Sequence, residues 1–600
     1  FKQKTAYELM PSLVGSEMCI RDSGQIRTMP GYEEATPDVV DAVLNEAGRL
    51  ASEVLAPLNR YGDVQAPAVK DGVVTTSPEW RAAYHRFAEG GWTALIFDPE
   101  YGGQGLPRVL AVAVQEMWDA SNMSFGLCPL LTCSAAEAIS LQGSEEQKRI
   151  YLTKLVSGEW AGTMNLTEPQ AGSDLSAIRA SAIPTDDDGH YLLSGQKIYI
   201  TYGEHDLTSN IVHLVLARTP DAPEGVKGIS LFIVPKFIPD AQGEPGERND
   251  LRCVSLEHKL GIHGSPTAVM AYGDEGGATA YLVGEENRGI EYMFIMMNMA
   301  RHAVGVEGYA VAERAYQRAR IYAIERVQGR AVGDPSGKRV AIIDHPDVAR
   351  MMIDMKSRVE AMRAVSLYAA KAMDCSIRQP DERAKVKAQQ RLDVLIPVVK
   401  GWSSEVGNLV AGVALQVHGG MGFIEETGAA QHYRDARITT IYEGTTGIQA
   451  ADLVGRKLLR DGGEAIYELI EQARVDLSEI NPGESEALKI ICTNVSMALD
   501  RLSSATDWIL EAAIQDPRRP YASSFHYLML WGSVAGGWQM ARAAGVAARH
   551  LATGEGNQDF YRGKSLTCRH YCEQVLPESE AHYQAIISGS DTVLAAAQYI

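Results

Sequence analysis

The spacing of apolar residues changes twice along the chain. From Thr36 to about Leu155, apolar residues recur every three or four positions, which predicts helices. Between about Gly162 and Gly284 the pattern changes to short β-type runs separated by Gly, Pro and Asp turns. From about Asn287 the helical period returns. The pattern therefore predicts helices, then a β region, then helices again.

The longest helical segments lie in the second half of the chain. Segments of this length predict a bundle of antiparallel helices, and they span Gly289–Arg326, Pro346–Cys375 and Glu382–His418. Beyond Asp461 the same period predicts further helices at Ala487–Ala513, Ser523–Leu551 and Phe560–Val575. The first long segment also carries a methionine cluster, Met293 to Met299, which we interpret as a core stripe.

The β region is predicted to be antiparallel. Its clearest strands are Tyr191–Leu193, Lys197–Ile200, Ile211–Arg218 and Ile229–Pro235. No helical segment separates these strands, so neither a parallel βαβ sheet nor a nicotinamide enzyme of the Rossmann type is expected. An antiparallel barrel or sandwich is expected instead.

The whole pattern predicts a multidomain α+β fold. We expect an N-terminal helical domain over residues 24–160, a central antiparallel β-barrel over 161–285, a long-helix bundle over 286–460 and an extra C-terminal helical domain over 461–600. Residues 1–23 are excluded as non-native. Within them, Tyr7–Ser23 lacks helical and strand periodicity and a signal-peptide pattern, and it resembles translated sequencing-adapter sequence.

Charge and cysteine content exclude several classes of protein. The net charge of −20 opposes binding to phosphate backbones, so nucleic acid is not expected as a partner. We find no run of about 18 uncharged apolar residues, so no membrane partner is expected. We expect a bacterial-type cytoplasmic location instead. The eight cysteines form no C-x-x-C pair and lie at no zinc-ligand spacing, so we expect reduced thiols and no metal.

Five motifs occur in a fixed order along the chain. They are YGGQGL at Tyr101–Leu106, TEPQAGSD at Thr167–Asp174, GQKIYIT at Gly195–Thr201, QVHGGMG at Gln416–Gly422 and IYEGT at Ile441–Thr445. Together, on a helix, strand, helix layout, they resemble the acyl-CoA dehydrogenase family from about Met29 to near the C-terminus. The strings MNLTEPQAGSDL and VHGGMGFIEETGAAQHYRDARI, with the extra C-terminal domain, are similar to the branch that acts on 3-methylmercaptopropionyl-CoA in dimethylsulfoniopropionate degradation.

The resemblance implies an FAD enzyme that removes an α-proton and a β-hydride from a short acyl-CoA. Glu443 matches the family's base in the IYEGT motif. The reaction needs such a base, because an α-proton of a thioester is very weakly acidic and its removal requires a carboxylate held against the carbon. Gly444 would let the backbone approach the thioester, whose oxygen would accept from the Glu443 N–H. Electron-transfer flavoprotein is the implied electron acceptor.

The resemblance also assigns cofactor and substrate contacts. Ser173, Asn298, Arg301 and Gly444 match substrate-binding positions, although the family usually has Asp where Asn298 stands. The cofactor-binding positions are Thr167, Ser173, Tyr199, Thr201, Arg326, Gln416, Gly419, Gly420 and Thr445. Arg326 and the Gln416–Gly420 segment match residues that reach the flavin of a neighbouring subunit, which implies a homo-oligomer, a dimer or higher. From the residues alone, Ser173 is also a candidate cap of a helix that begins at Asp174.

Three other functions are compatible with parts of this pattern. A general short- or medium-chain acyl-CoA dehydrogenase and an oxidase that uses oxygen directly would share the fold and the motifs. A nucleic-acid-binding flavoprotein with little turnover would share the superfamily, but the net charge of −20 opposes it.

Overall fold

A computed structural model describes residues 26–187, 189–333, 335–483, 485–596 and 598–600. The predicted non-native segment, residues 1–23, lies outside the described residues. Two compact units are present, and they do not follow a single cut along the chain. The mixed unit comprises Glu46–Pro107 and Ser121–Ala300. The helical unit comprises the described residues up to Asn45, together with Arg108–Ala120 and Arg301–Ile600.

The helices confirm the long segments of the second half. In chain order they are α1 (Pro37–Leu50), α2 (Ala56–Val64), α3 (Pro78–Glu89), α4 (Arg108–Gln142), α5 (Glu145–Gln147), α6 (Thr153–Val156), α7 (Gly289–Glu325), α8 (Pro346–Arg378), α9 (Glu382–Val417), α10 (Ala429–Ala436), α11 (Thr446–Asp452), α12 (Glu464–Ser478), α13 (Glu486–Gln515), α14 (Arg519–Ala522), α15 (Ser524–Thr553), α16 (Gln558–His570) and α17 (Glu578–Ala596). Wider π-type turns follow α1, α5, α11 and α16 at Ala51–Leu55, Lys148–Leu152, Leu453–Leu458 and Tyr571–Val575.

The strands are short apart from β5. In chain order they are β1 (Ala68–Lys70), β2 (Val73–Thr75), β3 (Trp160–Asn165), β4 (Ser181–Pro184), β5 (His190–Thr201), β6 (Asn210–Ala217), β7 (Ser230–Pro235), β8 (Phe237–Pro239), β9 (Pro245–Arg248), β10 (Leu251–Leu256), β11 (Thr267–Tyr272), β12 (Ala278–Leu282), β13 (Val327–Arg330) and β14 (Arg339–Ala341).

The central sheet of the mixed unit has the strand order β10-β11-β5-β12-β7-β6-β3, and β4 also pairs with β5. Its pairs are antiparallel except for β3 and β6, which run parallel from Trp160 opposite Asn210 to Asn165 opposite Val215. The expectation of a wholly antiparallel domain was therefore wrong for this pair. The chain returns between β3 and β6 through β4 and β5, which provide the long connection that a parallel pair needs.

Two local features of the mixed unit differ from the predicted elements. The strands predicted at Tyr191–Leu193 and Lys197–Ile200 are one strand, β5, which Gly195 continues with φ 150° close against Ala180. A hairpin of β1 and β2 interrupts the predicted N-terminal helices. Asp71 and Gly72, with φ 52° and 76°, form its two-residue turn, and Asp-Gly is a typical hairpin signal.

The core of the mixed unit is built on its sheet. All residues of β6 and β7 are buried, as expected for central strands covered on both faces. Met293 and Met296 are fully buried in the same core, which confirms the core interpretation of the methionine cluster for these two residues.

Helix α4 is a long apolar helix of the described chain. By length and composition, this one helix of the described chain reaches the threshold for crossing a membrane. Of its most apolar 18-residue window, 72% is buried inside the protein, as in the core helix of a globular domain. The helix contains no run of about 18 uncharged apolar residues, because its uncharged stretch Ala120–Ala136 is bounded by Asp119 and Glu137 and includes Ser, Asn and Thr.

The long helices of the helical unit pack at glycines. A Cβ at Gly407 of α9 would lie 2.3 Å from the carbonyl oxygen of Gly308 on α7, so the two backbones are in direct contact. On the other side of α9, the ring of Trp402 covers Gly532 of α15. These contacts fix α9 between α7 and the C-terminal helices, and the domain boundaries at residues 160, 285 and 460 stay predictions.

The backbone contact at Gly407 predicts the effect of a single methyl group. Gly407→Ala places its Cβ against the Gly308 carbonyl, and overpacking of this kind costs about 1–3 kcal/mol. Gly412→Ala on the same helix meets only ordinary contacts with Tyr433 and should gain about 0.5–1 kcal/mol from helix propensity. Thermal or urea unfolding measures both variants. Equal stability of the two would contradict the close approach of α7 and α9.

Candidate active site

The loop Ile441–Thr445 enters α11 with a strained backbone. Glu443 has φ 55° and Gly444 has φ 86°. Positive φ costs a non-glycine residue about 1–2 kcal/mol, so the surroundings of Glu443 must hold it there. At Gly444 a side chain is also excluded, since a Cβ would lie 2.8 Å from Nε2 of Gln449. Thr445 then caps α11, its hydroxyl accepting from the Ile448 N–H.

Side chains of α9 and α11 hold this loop through hydrogen bonds. Lys400 of α9 is fully buried, and its Nζ donates to the Gly444 carbonyl at 2.7 Å. Nε2 of Gln449 donates to the Glu443 carbonyl at 3.1 Å. The hydroxyl of Thr446 donates to the Glu405 carboxylate at 2.6 Å. Both carbonyls of the strained segment therefore have donors, and one donor is the buried amine of Lys400.

The environment of Glu443 raises the pKa of its carboxyl group to about 7. Burial is the main cause, and the nearby cations Arg301 and Lys400 act in the opposite direction. Burial likewise lowers the pKa of Lys400 to about 7, although Glu443 and Glu307 favour its charged form. Near neutral pH, Glu443 therefore interconverts readily between a proton acceptor and a protonated acid.

Two further carboxyl groups are buried near this loop. Tyr442, the residue before Glu443, donates its hydroxyl hydrogen bond to Glu307 of α7. Burial raises the pKa of Asp119 to about 8 and raises that of Glu307 strongly. The Asp119 carboxyl raises the pKa of Glu307 further, and the Glu116 carboxyl raises that of Asp119. Burial therefore disfavours the ionised form of both carboxyl groups. Among the described residues, Glu307 Oε1 and Asp119 Oδ1 have no hydrogen-bond partner.

Arg301 and Asn298, the predicted CoA-binding pair, lie one helical turn apart on α7. Arg301 is buried, and its Nη1 lies 3.9 Å from Oδ2 of Asp452. The other carboxylate oxygen of Asp452 pairs with Arg456 at 3.2 Å. The charge of Arg301 lowers the pKa of Glu443, which is an effect the sequence did not suggest.

Within the mixed unit, Thr167, Tyr199 and Thr201 meet at the C-terminal end of β5. The Ile198 N–H donates to the Thr167 carbonyl at 2.9 Å, and Thr201 pairs with Thr267 of β11. A bulge between these strands leaves Tyr199 with φ 62° and its side chain 61% exposed. Bulges commonly redirect a side chain out of the ladder, and here an aromatic ring is presented to solvent.

A buried ion pair holds the Thr167 loop against β5. Nζ of Lys197 donates to Glu168 at 2.8 Å and to the Leu166 carbonyl at 3.0 Å. Glu168 also accepts from the backbone N–H groups of Arg179 and Ala180. Both ends of the loop are thereby fixed.

Ser173 lies exposed on the loop that this ion pair fixes. It does not cap the short turn Leu175–Ala177, because Asp174 is the cap and accepts from the Ser176 N–H at 2.9 Å. The candidate role of Ser173 as a helix cap was therefore wrong.

In the helical unit, Arg326 and the Gln416–Gly420 segment lie at neighbouring helix ends. The rings of Tyr322, near the end of α7, and His418, just after α9, have centroids 4.6 Å apart. Arg326 follows α7 and is exposed, as is Gln416. At Gly419, with φ 57°, and at Gly420, a Cβ would meet nothing within 4 Å. This end of the unit therefore presents a cation and bare backbone together.

Sequence reasoning missed Lys400, Asp119 and Glu307. Lys400 carried a usable signal, because it is the only charged residue in the apolar run from Val394 to Trp402. Charged residues are almost never fully buried without a partner, so a specific acceptor could have been expected. Asp119 and Glu307 carried no such signal, since their environment depends on helices far apart in sequence.

Comparison with known proteins identifies the family. Three family models match in the order of the chain: the acyl-CoA dehydrogenase N-terminal domain at residues 41–159, the middle domain at 163–274 and the C-terminal domain at 287–459. A fourth model, described as acetyl-CoA dehydrogenase C-terminal like, matches residues 465–597. The fold and the matches define an oxidoreductase. The chain belongs to the acyl-CoA dehydrogenase family.

Individual relatives extend over nearly the whole chain. A 3-methylmercaptopropionyl-CoA dehydrogenase of Ruegeria pomeroyi is 49% identical over 572 residues, which cover 95% of this chain and 96% of the relative. A butyryl-CoA dehydrogenase of Syntrophomonas wolfei is 34% identical and covers 90% of each chain. The crystal structure of Caenorhabditis elegans ACDH-11 has a TM-score of 0.76 at 21% identity, covering 95% of this chain and 94% of that chain, and supports the fold.

Burial raises the pKa of the Glu443 carboxyl group and the nearby cations lower it, and this balance can be tested by a pH titration of that group. Infrared difference spectra of the unaltered protein against Glu443→Gln isolate the carboxylic-acid band of Glu443. As the pH is raised, this band should disappear with a midpoint near pH 7. Lys400→Met removes a cation that lowers this pKa, so the midpoint should rise.

A matched control for Lys400 lies on the same helix. Lys387→Met removes an exposed α9 lysine that pairs with Glu468, and it should leave the Glu443 midpoint unchanged. A midpoint at the ordinary glutamate value in the unaltered protein, or no movement in Lys400→Met, would contradict the assignment of these charges.

Proposed function

We propose that this chain oxidises 3-methylmercaptopropionyl-CoA to methylthioacryloyl-CoA, with Glu443 as the base. The main support for the reaction is Glu443 itself. Its backbone is held at φ 55°, and the pKa of its carboxyl group is raised to about 7. The substrate is supported by the 49% identity to the Ruegeria pomeroyi enzyme over 95% of the chain.

FAD is the cofactor of this proposal, and the residues present fit it. Arg326 offers an exposed guanidinium, whose paired donors suit a diphosphate. Gly419 and Gly420 leave open space beside the backbone, and the exposed ring of Tyr199 provides a flat apolar surface. We propose Thr167, Ser173, Thr201, Gln416 and Thr445 as further contacts. When bound, FAD supplies an acceptor for the hydride lost from the β-carbon.

Glu443 performs the proton transfer. Its carboxylate takes the α-proton, and the electron pair of that C–H bond forms the new α,β double bond as the β-hydride leaves. A pKa near 7 makes this carboxylate a stronger base than an ordinary glutamate, while Arg301 and Lys400 keep the ionised form accessible at neutral pH.

The loop backbone orients the thioester. The carbonyl groups of Glu443 and Gly444 are occupied by Gln449 and Lys400 on one side of the loop. This anchoring fixes the position of the Glu443 N–H, which we propose as a donor to the thioester oxygen as negative charge develops on it. Ser173 and Asn298 are proposed CoA contacts, and Arg301 acts on the charge of Glu443 as well.

The proposal includes association of subunits. Beyond Gly420, the side chains of Met421, Phe423 and Ile424 are 51%, 83% and 46% exposed. Adjacent exposed apolar side chains of this kind are typical of a protein interface. Their position beside Gly419 and Gly420 supports a homo-oligomer, a dimer or higher, in which this segment reaches the cofactor of a neighbouring subunit. Electron-transfer flavoprotein as acceptor and a cytoplasmic location belong to the same proposal.

The substrate assignment predicts a chain-length preference. 3-Methylmercaptopropionyl-CoA and butyryl-CoA should have kcat/KM values far above that of palmitoyl-CoA, because each added methylene gains about 0.8 kcal/mol only where the pocket can bury it. A closed pocket converts the same methylene into overpacking. Dye-coupled turnover over a series from C4 to C16 measures this. A kcat/KM for palmitoyl-CoA equal to that of the short substrates would reject 3-methylmercaptopropionyl-CoA as the substrate. It would not affect membership of the acyl-CoA dehydrogenase family.

A further inference from the structure

A cavity of about 260 Å³ lies in the helical unit, lined by residues of α8, α9, α12 and α15. None of its lining residues belongs to the Glu443 loop. The polar and aromatic residues that line it are Tyr368, Lys371, Arg391, Gln472, Asp476 and Arg542. The cavity joins the long helices α8 and α9 to the C-terminal helices α12 and α15. Its volume lies just below the range of about 300–1,000 Å³ that is typical of ligand pockets, so it suits only a small ligand.

Most of the charged residues that line this cavity are cations. Lys371, Arg391 and Arg542 are three cations, and Asp476 is the only carboxylate among the lining residues, all of which lie in the described chain. Oδ1 of Asp476 accepts from Gln472 at 2.8 Å. Its Oδ2 accepts from the Trp538 indole at 2.9 Å and lies 3.4 Å from Nε of Arg542. The lining therefore keeps a net positive charge in a chain whose total charge is −20.

Two of the cations converge on one aromatic ring. The guanidinium groups of Arg391 and Arg542 lie 5.7 Å and 5.6 Å from the ring centroid of Tyr368. Tyr368 is buried and packs edge to face against Trp538, so the ring is fixed. Both guanidinium groups therefore line the cavity close to one fixed ring, and their positive charge favours an anion there.

We propose that this cavity binds a small doubly charged oxyanion, a phosphate group or a dicarboxylate. Guanidinium groups bind both through paired, charge-assisted hydrogen bonds. Ala372 and Ala388 line the wall with small side chains that leave room for the anion. A ligand held there contacts α8 and α9 on one side and α12 and α15 on the other, so it stabilises the folded state by mass action.

The test is a titration of the full-length, FAD-loaded protein with inorganic phosphate and, separately, with succinate, at constant ionic strength set by chloride. Calorimetry and the thermal midpoint report binding. We expect saturable binding of at least one anion and a rising midpoint. Arg391→Gln should weaken the affinity about tenfold or more, because it removes a charged donor fork from the cavity.

Arg383→Gln is the matched control, since it removes an exposed arginine two turns earlier on α9 with the same change in charge. It should bind as the unaltered protein does. The midpoint in chloride alone shows whether Arg391→Gln is folded. Saturable binding of only one of the two anions shows whether the cavity takes a phosphate group or a dicarboxylate. Absence of saturable binding of either anion, or equal affinities in Arg391→Gln and Arg383→Gln, would overturn the proposal without bearing on Glu443.

Discussion

The hydrogen bond from the buried Lys400 ammonium to the Gly444 carbonyl, 2.7 Å long, is the contact on which the candidate active site depends. It holds a segment whose two residues both have positive φ, at a backbone cost of about 1–2 kcal/mol for Glu443. The same cation lies close enough to Glu443 to lower its pKa. One side chain therefore sets both the conformation of the loop and the charge of its carboxyl group.

The position of Lys400 depends in turn on how α9 is packed. The backbone contact between Gly308 and Gly407 brings α7 against α9, and Trp402 over Gly532 fixes the opposite face against α15. The C-terminal helices thus help to support the helix that carries Lys400. Burial in this packing moves the pKa of Glu443 to about 7, which corresponds to about 3 kcal/mol between its two protonation states.

Much of the fold could be predicted from periodicity, because long amphipathic segments leave a strong pattern. The structure gives Gly289–Glu325, Pro346–Arg378 and Glu382–Val417, each within a few residues of the predicted bounds. The parallel pairing of β3 and β6 could not be predicted, since strand order is set by contacts distant in sequence.

The candidate site was predictable only in part. Glu443 could be singled out through its motif. Its raised pKa could not be predicted, because that value depends on burial and on Lys400 and Arg301 from two other helices. Asp119 and Glu307 were missed for the same reason. The position of Tyr199 beside the cofactor stays a prediction, and its exposure follows from a bulge between β5 and β11 that the sequence does not mark.

The central claim is that Glu443 is the base, and turnover of Glu443→Gln tests it most directly. The amide keeps the shape of the side chain but cannot take the α-proton. We predict that Glu443→Gln retains FAD and loses kcat by about 10³-fold or more, while Glu464→Gln, an exposed carboxyl at the start of α12, keeps normal turnover. Turnover of FAD-loaded Glu443→Gln close to that of Glu464→Gln would contradict the account.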